Sequence, residues 1–187
     1  MNVPYTLEQR RDTGVSNTTL ALGLFLASEV MLFGALFSSY ALLRVAAPAW
    51  PSGRDVLDLT LGGANTVVLL AATMMAWRAR GPSLSRARRF LGVNSVLAAV
   101  FLVIKAIEYQ HELARGLVPS VSTFWAIYFV LTGLHVIHVI GGLIANAWAV
   151  LGRAGDAMTL NRVRLLSLYW AFVDLVWIAI FVLLYLL

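Results

Sequence analysis

Long apolar stretches alternate with short polar links along this chain. Five of the stretches are long enough to cross a bilayer, which requires roughly 20 mainly apolar residues in a helix. They lie at about 18–43, 57–77, 90–108, 123–151 and 165–187. Unbroken apolar runs indicate helices rather than the alternating strands of a membrane barrel. The pattern therefore predicts an all-α integral membrane protein, with five transmembrane helices in a single domain over residues 1–187.

The composition agrees with this interpretation and excludes several classes of protein. Hydrophobic residues make up 60% of the 187 residues and charged residues only 12%, whereas soluble domains carry about a quarter charged residues. We ascribe the net charge of +5 to topology and lipid headgroups, and we expect no nucleic-acid partner. Because the chain has no cysteine, disulfides, iron–sulfur clusters and thiolate-bound copper are excluded.

Arginine is distributed unevenly between the polar segments. The N-terminal tail, the second link and the fourth link together hold ten arginines, and the first and third links hold three. Basic segments of membrane proteins remain on the cytoplasmic side. We therefore expect a cytoplasmic N-terminus and a periplasmic C-terminus. The polar start of the chain also predicts that it has no cleavable signal peptide.

Several acidic residues interrupt the apolar stretches. Glu29 and Asp174 lie in the middle of the first and last spans, and Glu108 lies at the outer end of the third. A charge at the bilayer centre costs at least ~2.5 kcal/mol on insertion scales, so such side chains face the protein interior, pair with a partner or carry a proton. For Glu29 two interpretations stay open: a neutral acid that bonds a neighbouring helix, or a protonatable group on a proton path.

Two histidines lie in the fourth span. Because His135 and His138 are three residues apart, they share a helix face, and we expect a hydrogen-bonded polar seam in which Asp174 bonds one of them. A metal site completed by opposing carboxylates is the less favoured alternative. Lys105 and Glu108, also three apart, can pair along one helix face, although Lys105 could instead extend toward the membrane surface.

Small residues form stripes on three of the spans and let helix backbones approach one another. The first span carries such a stripe at Gly23, Ala27, Gly34 and Ser38, the second at Gly62 to Ala64, and the fourth at Gly141, Gly142 and Ala145.

Five motifs, one in each span, resemble subunit III of the haem–copper oxidases. LASEVMLFGALFSSY resembles the Ser-Glu-Val helix of that family, and GGANTVVLL resembles the Asn-Thr stretch of its next helix. KAIEYQHEL is similar to the Glu-Tyr end of the following helix, and STFWAIYFVLTGLHVIHVIGG to the helix with two histidines three apart. YWAFVDLVWIAIFVLLY resembles the closing helix. Five motifs in this order are far more specific than any one of them.

The resemblance implies the five-helix bacterial form of the family, a V-shaped bundle in the cytoplasmic membrane whose cleft holds structural phospholipid. Such a subunit binds the side of the catalytic subunit I, which carries the haem and copper, and it has no redox centre or catalytic residue of its own. It stabilises the catalytic subunit during turnover and supports the supply of protons and oxygen. A haem–copper site needs about six histidine ligands, and this chain has three histidines.

The resemblance carries over one individual residue, and a second candidate comes from its position in the chain. Glu29 matches the membrane-embedded glutamate of the family. Arg153, at the cytoplasmic end of the fourth span, becomes a candidate contact for a phospholipid headgroup, with a solvated loop arginine as the alternative.

The sequence departs from the family pattern at some positions. Ala171 replaces a histidine of the closing motif, Val136 replaces the glycine between the paired histidines, and the second span ends in WRAR without a histidine. These departures keep two alternatives open. One is an accessory protein of nitric oxide reductase, whose partner holds haem and non-haem iron. The other is an independent proton-coupled transporter that uses Glu29, Asp174 and the histidine pair.

Overall fold

The computed structural model describes residue 8, residues 14–152 and residues 156–187. These residues fold into six α-helices and a closing π-helical turn. The helices are α1 (Asn17–Ala46), α2 (Gly53–Val56), α3 (Leu59–Arg78), α4 (Leu84–Ala114), α5 (Thr123–Leu151) and α6 (Asp156–Phe181), and the π-turn spans Val182–Leu186.

Five of the helices are long and apolar enough to cross a membrane, and they confirm the predicted number of spans. Each of α1, α3, α4 and α5 begins after a capping side chain, namely Ser16, Asp58, Ser83 and Ser122, which accepts from a free N–H of the first turn. The third span is longer than its apolar run: α4 extends six residues beyond the predicted limits at either end. Polar residues assigned to the adjoining links therefore belong to the helix.

The core lies between α3, α4, α5 and α6. Helix α3 packs chiefly on α4 and α6, and α5 packs chiefly on α6. Aromatic side chains fill the space between them, with the Trp177 ring perpendicular to Phe101 at 4.9 Å. Trp170 reaches α5 where Gly142 leaves room for its ring, because a Cβ there would lie only 2.8 Å from Trp170 Cζ2. The small residue predicted to allow close packing on α5 therefore does so.

Two buried asparagines connect the four core helices. Asn94 Nδ2 on α4 donates to the carbonyl of Ala72 on α3 at 2.8 Å, and Asn146 Nδ2 on α5 donates to Asn94 Oδ1 at 2.6 Å. Trp170 Nε1 on α6 completes the chain by donating to Asn146 Oδ1 at 3.1 Å. Because each of these groups finds a partner, the network holds polar atoms in the core without an unsatisfied donor.

Helix α1 lies at the edge of this group. Only Phe33 and Tyr40 are buried on it, and a Cβ added at Gly23 or Gly34 would meet nothing within 4 Å. The small-residue stripe predicted to pack the first span therefore does not pack against the described part of this chain. Most of the exposed side chains of α1 are apolar, which suits contact with lipid.

The carbonyl groups at the end of the last helix are bonded by side chains from earlier in the chain. Tyr40 donates to Leu183 O, Arg44 to Leu187 O at 2.9 Å, and Arg54 to Leu186 O at 3.0 Å. The two arginines also place positive charge at a helix C-terminus, where the helix dipole favours it. Helix α2 approaches the π-turn so closely that a Cβ at Gly53 would clash with the carbonyl of Leu184.

Candidate functional site

Glu29 on α1 and His138 on α5 form a direct pair inside the membrane. Glu29 Oε2 lies 2.9 Å from His138 Nε2, and both side chains are mostly buried. The other ring nitrogen, His138 Nδ1, lies 2.8 Å from the carbonyl of Leu134 one turn earlier. A carbonyl can only accept, so Nδ1 carries a hydrogen.

This geometry fixes how many protons the pair holds. With Nδ1 protonated, the contact to Glu29 is either an imidazolium N–H donating to a carboxylate or a carboxylic acid donating to a neutral ring. In both arrangements one proton lies between Glu29 Oε2 and His138 Nε2, and the pair is neutral overall. A neutral pair explains how an acid is accommodated where an isolated charge is costly.

The structure separates the residues of the expected polar seam. His135 is fully buried between the rings of Phe101, at 5.6 Å, and Trp177, at 5.2 Å, and neither of its ring nitrogens has a hydrogen-bond partner. Asp174 interacts with Thr73 on α3, and its Oδ1 is buried without a partner. The prediction that Asp174 bonds His135 or His138 is therefore wrong. The two histidines face different neighbours: His138 contacts α1, and His135 contacts the core.

Lys105 lies in a second polar cluster near the end of α4. Its Nζ is 3.2 Å from Glu108 Oε2, an ionic contact between side chains that are 1% and 2% exposed. Nζ also donates to the hydroxyls of Tyr128, at 2.9 Å, and Tyr185, at 2.8 Å. The predicted Lys105–Glu108 pair is confirmed. The alternative, in which Lys105 extends to the membrane surface, is wrong because three polar partners satisfy the ammonium inside the protein.

Glu112 completes the cluster and was missed by the sequence analysis. Tyr128 OH lies 3.1 Å from Glu112 Oε1 and 3.0 Å from Glu108 Oε1, and the Tyr185 hydroxyl also donates to Glu108 Oε1. The apolar run of the third span ends at about residue 108, so Glu112 falls in the predicted link. A usable signal was the spacing of Lys105, Glu108 and Glu112, which places all three on one helix face once the helix continues.

A groove opens between α1, α5 and α6 at the opposite end of the bundle. Its volume is 340 Å³ and its lining is almost wholly apolar. Arg162 is the one charged lining residue; its guanidinium stacks on the Trp148 ring at 3.6 Å, and its Nε is buried without a partner. Arg153, the predicted headgroup contact, lies outside the described residues. The lining residues are Leu22, Phe25, Gly141, Ala145, Trp148, Arg162, Leu165, Leu166 and Tyr169.

Arg80, in the link between α3 and α4, is tied to α6 at the same end. Its Nε donates to Ser167 Oγ, and its guanidinium lies 3.9 Å from the Trp77 ring centroid. Burial, and then the nearby positive charge of Arg164, lower the pKa of Arg80 below its ordinary value. These contacts hold the α3–α4 link against the start of α6.

Metal ligands are not grouped in the described part of the chain. Among residue 8, residues 14–152 and residues 156–187, no three histidine or acidic side chains lie close enough together to hold a metal ion. What the site offers instead is two sets of protonatable groups, one at Glu29 and one around Glu108, and an apolar groove with one arginine.

A family model of cytochrome c oxidase subunit III matches residues 9–187. The chain belongs to the cytochrome c oxidase subunit III family. Membership of this family accounts for the order of the five motifs and for the long apolar helices of a multi-pass membrane protein. It confirms the predicted role as subunit III of a haem–copper oxidase, and neither the nitric oxide reductase alternative nor the transporter alternative is favoured.

Curated members of the subunit III family are similar along most of the chain. Cytochrome bo(3) ubiquinol oxidase subunit 3 of Pseudomonas aeruginosa is 32% identical over 96% of this chain and 88% of its own length. Cytochrome c oxidase subunit 3 of Synechocystis is 34% identical over 88% of this chain and 73% of its own length. The haem–copper oxidase subunit I+III of Aeropyrum pernix is 33% identical over 89% of this chain but only 22% of its own length.

Proposed function

We propose that this protein is the non-catalytic third subunit of a proton-pumping terminal oxidase, bound beside the haem- and copper-containing subunit I in a bacterial cytoplasmic membrane. The family match over residues 9–187 carries this proposal. The three histidines and the lack of cysteine support a redox centre in a partner rather than in this chain. The relative named subunit I+III supports a close association with subunit I, because it joins the two in one protein.

Purification through an affinity tag on this chain, followed by an optical spectrum, tests the partnership. We expect a large haem protein to co-purify and to give the spectrum of a haem–copper oxidase, and the separated chain to have no visible absorption. A partner with haem and non-haem iron would point to a nitric oxide reductase instead. Proton transport by the chain alone in liposomes would contradict an accessory role.

We further propose that the 340 Å³ groove holds a phospholipid and forms the cleft of a V-shaped bundle. The apolar lining suits an acyl chain, and Arg162, stacked on Trp148, suits a headgroup phosphate. The few contacts between α1 and the α5–α6 pair support a cleft at this position. Lipid held there would stabilise the neighbouring catalytic subunit and provide an apolar route for oxygen.

Native mass spectrometry of the purified complex tests the lipid site. We expect Arg162→Ala to lose bound phospholipid. Arg164→Ala is the matched control, since Arg164 is exposed two residues away and does not line the groove. Equal lipid retention in both variants would contradict the assignment.

We propose that the N-terminus is cytoplasmic and the C-terminus periplasmic. The excess of arginine in the N-terminal tail and the second and fourth links supports this orientation. A reporter enzyme that works only in the cytoplasm, fused to the C-terminus, should be inactive. An active fusion would reverse the orientation.

A further inference from the structure

The cluster around Lys105 contains one more acid than its single cation can balance. Lys105, Glu108 and Glu112 lie on the same face of α4 and are 1%, 2% and 4% exposed. If both acids were ionised, the cluster would hold one positive and two negative charges on side chains that are almost wholly buried. A buried charge without a partner is strongly unfavourable, and two acids that share one site do not both ionise readily.

The hydrogen bonds lead to the same count independently of charge. Tyr128 OH accepts from Lys105 and lies within hydrogen-bond distance of both carboxylates, at 3.0 Å and 3.1 Å. A tyrosine hydroxyl has a single hydrogen and can donate to only one of them. If Tyr128 donates to one carboxyl, its contact with the other is a hydrogen bond only when that other carboxyl is protonated and donates to the tyrosine oxygen. All the contacts around Tyr128 are therefore satisfied when the two acids share one added proton.

A cavity large enough to hold water borders this group of residues. A cavity of 380 Å³ lies against Glu112 and Glu108 where α4 ends and α3 begins. Glu112 Oε2 is buried and has no hydrogen-bond partner, although the side chain borders the cavity. An acceptor without a partner beside a cavity that can hold water marks a point where a proton can enter or leave.

Charged and titratable groups face Glu112 from every element around it. Those on α4 itself are Lys105, Glu108, Tyr109, His111 and Arg115. The others are Asp58 at the start of α3, Tyr128 on α5 and Tyr185 in the π-turn. Arg115 offsets part of the negative charge at the mouth of the cavity, but in the described part of the chain it donates no hydrogen bond to either acid and leaves the sharing at Tyr128 unchanged.

We propose that Glu108 and Glu112, joined through Tyr128, form an acid pair that binds one exchangeable proton at the end of α4, in contact with water in the adjacent cavity. The site is separate from the Glu29–His138 pair, which lies between α1 and α5 and holds its own proton. It is a proton site rather than a metal site because, in the part of the chain that the structure describes, no three potential ligands are grouped there.

Infrared difference spectroscopy of the full chain in lipid nanodiscs tests this proposal. The chain has nine acidic residues in all, so the carbonyl stretch of a protonated carboxyl can be assigned by substitution. At neutral pH we expect the wild type to have one such band that both Glu112→Gln and Glu108→Gln lack. Each variant loses the band because the acid that remains has Lys105 to itself and ionises. Glu8→Gln, at an exposed position, is the control, and the spectrum of this variant should still contain the band.

Two further measurements keep the test decisive if a Gln variant fails to accumulate. In Tyr128→Phe the band should persist but shift to higher frequency, because the acid loses its hydrogen-bond partner. In heavy water the wild-type band should shift as soon as solvent is exchanged, because the cavity is open. The proposal is overturned if the wild type has no such band, if Tyr128→Phe leaves its frequency unchanged, or if hydrogen exchange takes hours.

Discussion

Helix α1 and the group formed by α3 to α6 are held in place by different kinds of contact. The group has a core of interlocking aromatic rings, with Trp170 and Trp177 fully buried. Helix α1 buries only two side chains, Phe33 and Tyr40, and makes few ring contacts with α5 and α6; individual polar bonds, chiefly Glu29 to His138 and Tyr40 to Leu183, add to these contacts. In lipid, where apolar burial alone does not drive helices together, packing and polar bonds are the two available ways to hold them.

The difference indicates how each part responds to change. A packed core has no room for added atoms and loses many contacts at once when a large side chain is removed. A helix attached by separate bonds loses stability one bond at a time and can detach while the rest stays folded. Substitutions in the core should therefore unfold the protein, whereas substitutions on α1 should loosen that helix alone.

Trp170→Ala should have the largest effect. The side chain is fully buried and donates to Asn146, so its removal leaves a cavity and an unpaired oxygen. We expect a loss of about 3–5 kcal/mol in the free energy of unfolding, measured by thermal denaturation in detergent. Met31→Ala on α1, where the side chain is 76% exposed, is the control and should change stability by less than about 0.5 kcal/mol. Similar losses in both variants would contradict the comparison.

A matched pair of glycines should sharpen the comparison. In Gly142→Ala the new methyl group lies 2.8 Å from Trp170 Cζ2, whereas in Gly34→Ala it meets nothing within 4 Å. Overpacking of this kind costs about 1–3 kcal/mol, so Gly142→Ala should lower the unfolding temperature. Gly34→Ala should leave both the unfolding temperature and the recovery of the oxidase complex unchanged. A large loss of the complex in Gly34→Ala would reveal that a partner packs on this stripe.

Glu29→Gln should act on α1 rather than on the core. The amide still reaches His138 but cannot share a proton with it, and the loss of a charge-assisted bond lowers local stability by about 1–2 kcal/mol. We expect a wider spread of distances between spin labels on α1 and α5. We also expect oxidase activity that begins near the wild-type rate and decays faster with turnover. Ser28→Ala, one residue away, is the control. An unchanged rate and an unchanged decay would remove Glu29 from the functional residues.

Tyr40→Phe should have the smallest effect. It removes the hydrogen bond to Leu183 O and the one that the hydroxyl accepts from Arg44 Nη1, but Arg44 keeps its bond to Leu187 O and the buried ring stays in place. The expected loss is about 0.5–1.5 kcal/mol, confined to α1 and the π-turn and visible as faster hydrogen exchange of their amides. Faster exchange in α4 or α5 would contradict an effect confined to α1.

Sequence reasoning recovered the five spans because long apolar runs are a direct consequence of a 30 Å hydrocarbon layer. It also recovered the Lys105–Glu108 pair, since three-residue spacing on a helix is local geometry. It could not recover the partner of Asp174, because which strip of a helix faces which neighbour depends on how all the helices pack. For the same reason His138 was not matched with Glu29, 109 residues earlier.

Glu112 was missed for a different physical reason. The predicted third span ends where the apolar run ends, but α4 continues to Ala114 because Tyr128 and Tyr185 supply polar partners for the acids of its last turns. A helix inside a protein can outlast its hydrophobic stretch when tertiary contacts satisfy its polar side chains. The proposed proton shared by Glu108 and Glu112 follows only from those contacts, which no local sequence pattern contains.

The bonds that secure α1 also impose an order on biosynthesis. Tyr40 and Arg44 bond atoms that lie 143 residues further along the chain, so these two bonds of α1 cannot form until the end of α6 and the π-turn have been inserted. At about 5–20 residues per second this interval is roughly 7–30 s. During that time α1 lacks both bonds, and the contact of Glu29 with His138 becomes available only once α5 has been inserted, which leaves α1 open to contact with the insertion machinery or with another subunit. Ribosome stalling before residue 183 should leave the bonds of Tyr40 and Arg44 unmade.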